Sequence, residues 1–425
     1  MASVKFSFFT EVLTESPAIL VEYSGKRMLI DPGQPNHRSP GLQRLLSQEL
    51  HTLDALILTH YHGDHVSLLQ NMLPLKKFKG AIYCHPATRE IISSYYSGIQ
   101  AAASQFKDLK YRQEIELFPG VSLTLYDAGH VLGSSIIYLR FENKRIIVSG
   151  DLGADALPIV RPRCEHLPEH PVDLLLLDGK HVSHPREVKI PIGDVLYHKL
   201  QDCFLFDDGN VIIYAPMVQI PMLVYCLNYI FNCTKYRDLH QKVKKVYLDP
   251  QPKVLQLIDI FKSYEHLFDR DETERVVDDK NPFEFGRLEK RLPGMNHWTE
   301  RSILITPNRA HFKKYFKKFK KDERHDVLLL NQNIYYALEK SNDLIDAECN
   351  IQIKRLPFLH YHPDLHELSD WFQKVTEKGP VKQIIFYHYK DKEAIEKEKK
   401  QIAPLFGDSF RFVHQLPRKQ YELKI

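Results

Sequence analysis

The sequence has little cysteine and places it without pattern. Its six thiols (Cys84, Cys164, Cys203, Cys226, Cys233 and Cys349) are scattered over 425 residues with no Cys-x-x-Cys pair. That argues against a cysteine zinc site and against a disulfide framework. Several of the six lie in apolar runs, where a thiol behaves as a small hydrophobe. Long apolar runs are missing too. None approaches the roughly 20 residues that a membrane span needs. The stretch from Met1 to Phe9 has no basic flank followed by a long apolar core, so it reads as a strand and not as a signal peptide. Charge of one sign is also scarce. The formal net charge is +4, which permits an anionic partner without demanding one. With 43% hydrophobic and 26% charged residues, disorder is not indicated. The expectation is a folded enzyme of two or three domains in a reducing, cytoplasmic compartment, with no membrane partner.

What is present is concentrated in Leu58-Thr59-His60-Tyr61-His62-Gly63-Asp64-His65. The apolar run Ala55-Leu56-Ile57-Leu58 before it reads as a buried strand, and Val66-Ser67-Leu68-Leu69 after it as a first helical turn. His60 and His62 share a side of an extended segment, because side chains alternate with period two. Asp64 and His65 turn toward a second point as the helix begins. That gives two pairs of ligands for two cations. Imidazole and carboxylate suit zinc, and manganese or iron would also accept them.

Further along, an alternating strand from Leu123 to Tyr126 runs into Gly129-His130, and a hairpin ends in Ser149-Gly150-Asp151. One carboxylate flanked by glycines can bridge two cations with its two oxygens. Read in order, the set is His60, His62, His130 and Asp151 on one metal, with Asp64, His65 and Asp151 on the other. The second metal then needs a late histidine, and the buried strand Gln383 to Tyr387 ends at His388. His85 has no second ligand type beside it and reads as structural. Asp31, at a strand end before Pro32-Gly33, reads as a structural aspartate.

Between the two halves of this pattern the chain alternates strand and helix, as a parallel-sheet unit does. Its most basic segment is Phe312-Lys313-Lys314-Tyr315-Phe316-Lys317-Lys318-Phe319-Lys320-Lys321. The aromatics recur at helical spacing and face a core. Lys313, Lys314, Lys317 and Lys318 fan over the other side, as either a solvated face or a phosphate-contact surface.

The His60–His65 loop, Gly129-His130-Val131-Leu132-Gly133, Ser149-Gly150-Asp151, Asp178 at a strand end, His362 with Asp364, and His388 together resemble the metallo-β-lactamase superfamily, in its β-CASP branch. The resemblance implies an αββα metallo-β-lactamase sandwich with an inserted α/β domain. The expected boundaries are 1–185 and 350–425 for the sandwich and 186–349 for the insertion. It implies two Zn2+ (Mn2+ or Fe as substitutes) and a two-metal hydroxide mechanism on single-stranded nucleic acid. It also implies roles: Asp31 braces the metal loop, Asp64 serves the catalytic centre as a ligand, His388 completes the second metal, His362 is the general acid, and Asp178 orients His362. A histidine at the place of His388 resembles the RNA-processing members, so RNA is expected before DNA. A homodimer is allowed, though no segment marks an interface. Departures are Gly179-Lys180-His181 after Asp178, where many members have Ser/Thr-Thr-Tyr-Gly, and Tyr389-Lys390 after His388. They keep two alternatives open: a hydrolase of single-stranded DNA ends or of a small phosphodiester, and a non-catalytic scaffold subunit.

Overall fold

The fold is that of a computed structural model, which describes every residue except 1–2, 10–17, 35–38, 74–76, 97, 156, 158, 168–170, 181, 183–191, 205–208, 269–280, 295–297, 331–349, 356–361, 378, 390–391, 408–409 and 425. Cys349, His181 and His360 lie outside the described residues. The chain forms two compact units: Met1–Asp155, Val160–Val188 and Tyr361–Ile425 make the first, and Ala156–Ile159 with Lys189–His360 the second.

The first unit holds two seven-stranded sheets. One runs, edge to edge, Gln420–Lys424, Ser3–Phe9, Ala18–Tyr23, Lys26–Ile30, Ala55–Ile57, Ala81–Cys84 and Phe106–Asp108. The other runs Phe410–Phe412, Ile384–Tyr387, Leu174–Asp178, Lys144–Val148, Ser135–Phe141, Val121–Asp127 and Ile115–Phe118. Alternation decides which side chains meet where. Leu174 and Leu176 join Val4, Phe6, Ile57, Leu123 and Ile385 in the core between the sheets. Leu175 and Leu177 point the other way, onto Leu368, Trp371 and Phe372 of the Leu365–Thr376 helix. A fully buried side chain of this size contributes about 1.5–3 kcal/mol, so a strand buried on both faces reads as an unbroken apolar run. This is the expected αββα sandwich.

Among the described residues the second unit has six strands, all parallel, in the order Leu288–Glu289, Lys245–Leu248, Ser302–Thr306, Val211–Tyr214, Asp326–Leu329 and Gln352–Arg355. It is the inserted α/β region. It runs past the expected boundary at 349, because Gln352–Arg355 pairs with Asp326–Leu329.

Candidate metal centre

Strand direction gathers the site. Lys144–Val148, Leu174–Asp178 and Ile384–Tyr387 are parallel neighbours, with Val148 opposite Leu176 and Asp178 opposite Tyr387. Their carboxyl ends therefore share one edge, and Asp151, Asp178 and His388 stand there. Val121–Asp127 is antiparallel to Ser135–Phe141, which is antiparallel to Lys144–Val148. It therefore runs with them and delivers His130 to the same edge. The facing sheet contributes the loop after Ala55–Ile57, tied across by Ser135 N donating to Thr59 O at 2.9 Å. Carboxyl ends of codirectional strands are where open α/β sheets carry their ligands.

Glycine allows two of these turns. Gly129 has φ +66°, and a Cβ there would lie 2.4 Å from the Arg163 nitrogen. Gly150 has φ +59°, with a Cβ 2.9 Å from the Ser135 oxygen. Of the nine non-glycine residues with positive φ among the described residues, two stand at this site, Asp31 at φ 48° and His388 at φ 54°. Such strain persists only where surroundings enforce it, and it concentrates at functional sites.

Hydrogen bonds fix which ring nitrogens face the centre. The Thr59 hydroxyl donates to Asp31 Oδ2 at 2.5 Å, since a carboxylate only accepts. With that proton used, His60 Nδ1 donates to Thr59 Oγ1 at 3.0 Å, and His60 Nε2 carries the lone pair. His65 Nδ1 likewise donates to Asp31 Oδ2 at 2.8 Å, leaving Nε2. Both Nε2 atoms are buried and make no hydrogen bond. Buried polar atoms without partners cost free energy, and a bound cation would satisfy these. The donor set therefore fits a metal. Asp31 does the bracing expected of it, and His362 Nδ1 donates to Asp178 Oδ2 at 2.6 Å.

Two His/Asp clusters are positioned to coordinate metal ions, and they share Asp151. The first is His60, His62, His130 and Asp151. The second is Asp151, Asp178, His362 and His388, each set with one donor atom per residue within 4.8 Å of the others. Asp64 and His65 border the second cluster. His65 Nε2 is 3.3 Å from Asp151 Oδ2, Asp64 Oδ2 is 3.9 Å from His65 Nε2, and His388 Nε2 is 4.0 Å from Asp64 Oδ2. The structure thus brings together all seven expected ligands, but it groups His388 differently. His388 turns Nδ1 to Asp151 at 3.2 Å and to Asp178 at 3.3 Å. Its other nitrogen, Nε2, meets the Lys180 ammonium at 2.5 Å.

Electrostatics follow from this packing. Burial drives His60 well below the usual imidazole range and His62 down to about 4, so both are neutral donors. Burial also disfavours a charged His65, but Asp151, Asp31 and Asp64 outweigh it and raise the pKa well above the usual value. For Asp64, burial is outweighed by His65, Lys180 and His388, which hold it at about 2. Asp151 and Asp178 are held low by the imidazoles around them, against their burial.

The remaining expected residues lie elsewhere. His85 accepts from Ala87 N at the start of the Pro86–Tyr95 helix and stacks on Tyr111, a structural role. Phe312, Tyr315 and Phe316 of the Arg309–Phe319 helix are buried, Lys314, Lys317 and Lys318 are exposed, and Lys313 is half-buried. Three supporting residues escaped the sequence reading. Thr59 links Asp31 to His60. Arg163 donates to the Gly153 and Glu367 carbonyls, each at 2.7 Å. Glu367 accepts from Asp155 N. Only Glu367 carried a signal, as the fourth residue of an Asp-x-x-Glu capping pattern from Asp364.

Residues 13–192 match the family model described as metallo-beta-lactamase superfamily, so the chain carries a domain of that superfamily. A transcription termination factor FttA of Thermococcus kodakarensis is 29% identical over 37% of this chain and 28% of its own length. An RNase J-like protein of Methanocaldococcus jannaschii is 29% identical over 40% of each chain. A cleavage and polyadenylation specificity factor subunit 3 of Dictyostelium discoideum is 21% identical over 84% of this chain and 50% of that one. The chain thus spans half or less of the length of these curated relatives. A crystal structure of a protein of unknown function from Enterococcus faecalis V583 covers 100% of both chains with a TM-score of 0.62 at 14% identity, a likeness of fold.

Proposed function

We propose that this chain is a metal-dependent phosphodiesterase that hydrolyses single-stranded nucleic acid, RNA before DNA. The observation that carries the reading is the pair of His/Asp clusters sharing Asp151 at one sheet edge. Two divalent cations held there, zinc by the character of the nitrogen and oxygen donors, would polarise the scissile phosphate and lower the pKa of a bound water. His60, His62 and His130 would hold the first cation with Asp151, and Asp151 and His388 would hold the second, with Asp64 and His65 bordering it.

The chain's own residues supply the rest. The Asp178 carboxylate accepts a hydrogen bond from His362 Nδ1, so the ring presents Nε2 toward Asp151, 3.5 Å away. From there an Nε2 proton passes to the departing alcohol while Nδ1 keeps its own on Asp178, work that imidazole suits near neutral pH. The lysine face of the Arg309–Phe319 helix, with Lys313, Lys314, Lys317 and Lys318, is read as a phosphate-contact surface of the second unit. The printed names of the RNase J-like and polyadenylation-factor relatives support RNA. Among the described residues no helix is long and apolar enough to cross a membrane, and Cys84, Cys164, Cys203 and Cys233 are free thiols, which suits a reducing cytoplasm. A homodimer remains the assembly to check by light scattering.

The test uses metal-quantified protein and one RNA, labelled separately at each end, beside DNA of the same sequence and a nitrophenyl phosphodiester. RNA cleavage that disappears in Asp64→Ala is the expected outcome, and the product ladder gives endo- or exonucleolytic action. Cleavage of the small diester alone would replace the substrate. No cleavage by protein holding its ions would leave the scaffold reading.

A further inference from the structure

Arg163 is a charged side chain only 6% exposed, and its guanidinium forks between two loops. Nη1 donates to the Gly153 carbonyl at 2.7 Å and pairs with Asp155 Oδ1 at 2.7 Å. Nη2 donates to the Glu367 carbonyl at 2.7 Å. Glu367 closes the same gap from the other side. Its Oε1 accepts from Asp155 N and its Oε2 from Asp364 N, both at 2.9 Å. Residues 153–155 follow directly on Asp151, and Glu367 stands in the first turn of the helix that follows His362. Arg163 and Glu367 therefore clamp the chain just beyond the shared carboxylate to the chain just beyond the imidazole. Those two groups face each other, His362 Nε2 to Asp151 Oδ2, at 3.5 Å. Arg163 reaches the His130 turn only through its backbone, which packs on Gly129, and through Cys164 N, which donates to the Asp127 carbonyl at 2.8 Å. A change of its side chain leaves those contacts in place.

We infer that Arg163 is a positioning residue for the leaving-group proton: through Gly153 and Glu367 it sets where the His362 ring stands against Asp151. The inference rests on the proposed phosphodiesterase reading and adds a residue to it. Asp178 fixes the tautomer of His362 through one hydrogen bond, about which the ring could still pivot. Holding two loops in register needs donors in fixed directions, and the planar guanidinium supplies them where an ammonium does not. Burying a charge is costly, and fixing register is its best-attested use.

The experiment compares metal-loaded full chains of the wild type, Arg163→Met, Arg163→Lys, His362→Gln and the double variant Arg163→Met with His362→Gln. Each is given single-stranded RNA and a nitrophenyl phosphodiester, whose leaving group needs no proton. Arg163→Met should lower RNA cleavage by about 10²-fold, the cost of a misplacement of about 1 Å, and diester cleavage far less. Arg163→Lys, with the charge but not the fork, should show the same split, and it carries the comparison if Arg163→Met does not fold. In the double variant the loss on RNA should not exceed that of His362→Gln alone, because residues acting through one group are not additive. A second readout needs no turnover. The proton between His362 Nδ1 and Asp178 gives a far-downfield proton resonance, identified by its loss in His362→Gln, and Arg163→Met should shift or broaden it. Equal losses on both substrates, an Arg163→Met effect that multiplies that of His362→Gln, or an unmoved resonance would each overturn this inference and leave the nuclease reading standing. A wild type that holds its ions and cleaves neither substrate would overturn both.

Discussion

Asp31 touches no expected substrate, yet it accepts three hydrogen bonds at the heart of the loop. Thr59 N donates at 2.8 Å, the Thr59 hydroxyl at 2.5 Å and His65 Nδ1 at 2.8 Å. Carboxylates behind a ligating imidazole fix its tautomer and raise its basicity, and their loss costs about 10–100-fold in metal affinity or activity. Asp31→Ala should therefore weaken metal binding by that order, measured by competition with a chromophoric chelator, while far-ultraviolet circular dichroism stays unchanged. His362 makes a sharper case, because it belongs geometrically to the second cluster and is assigned the leaving-group proton. His362→Gln should lower RNA cleavage by about 10²–10⁴-fold. The same variant should lose far less on a nitrophenyl phosphodiester, whose leaving group needs no proton. Equal losses on both substrates, with metal content reduced, would make His362 a ligand instead. At this scale the sequence was informative where ligand types crowd into a few positions, as from His60 to His65. It was silent on Thr59 and Arg163, whose partners lie far along the chain or face several groups at once.

Elements hold these side chains in register, and the clearest is the Leu365–Thr376 helix that follows His362. Asp364 accepts from His366 N and Glu367 N, both at 2.9 Å, and its own N donates in turn to Glu367 Oε2. Glu367 also anchors the loop after Asp151 through Asp155 N at 2.9 Å. Replacing an Asp N-cap by Ala costs about 1 kcal/mol, within roughly 0.5–2. Asp364→Ala should therefore lower stability by about that much in urea unfolding and leave first-site metal affinity alone. Most elements were legible because burial on one or two faces imposes period two or an apolar run, as in Leu174–Asp178 and Ile220–Asn232. Two were not. Residues 40–52 are a succession of short helical turns, Pro40–Arg44, Leu45–Glu49 and Leu50–Thr52, with no single apolar period running through them. The strand Gln352–Arg355 is mostly polar and joins the edge of its sheet, so no apolar period marks it.

At the scale of the whole molecule, the site belongs to one of the two units. Its donors come from the ends of strands far apart in the chain: the loop after Ile57, the turn at His130, Asp151, Asp178 and His388. Cations held there would cross-link the two sheets of the first unit and none of the second. A ligand that binds only the folded form stabilises it by RT ln(1 + [L]/Kd), about 4 kcal/mol at a thousandfold excess over Kd. Units of this size unfold as their own cooperative blocks when little couples them. Calorimetry of the metal-loaded chain should therefore show one transition moving to lower temperature when a chelator is added, and a second transition that does not move. Asp151→Asn should lower the first transition in metal and make it insensitive to the chelator, because Asp151 belongs to both clusters. If both transitions shift together, the ions stabilise the chain as a single block and the two units are coupled. If neither shifts, the donors at this edge do not bind metal in solution, and the proposed chemistry has no centre to act from.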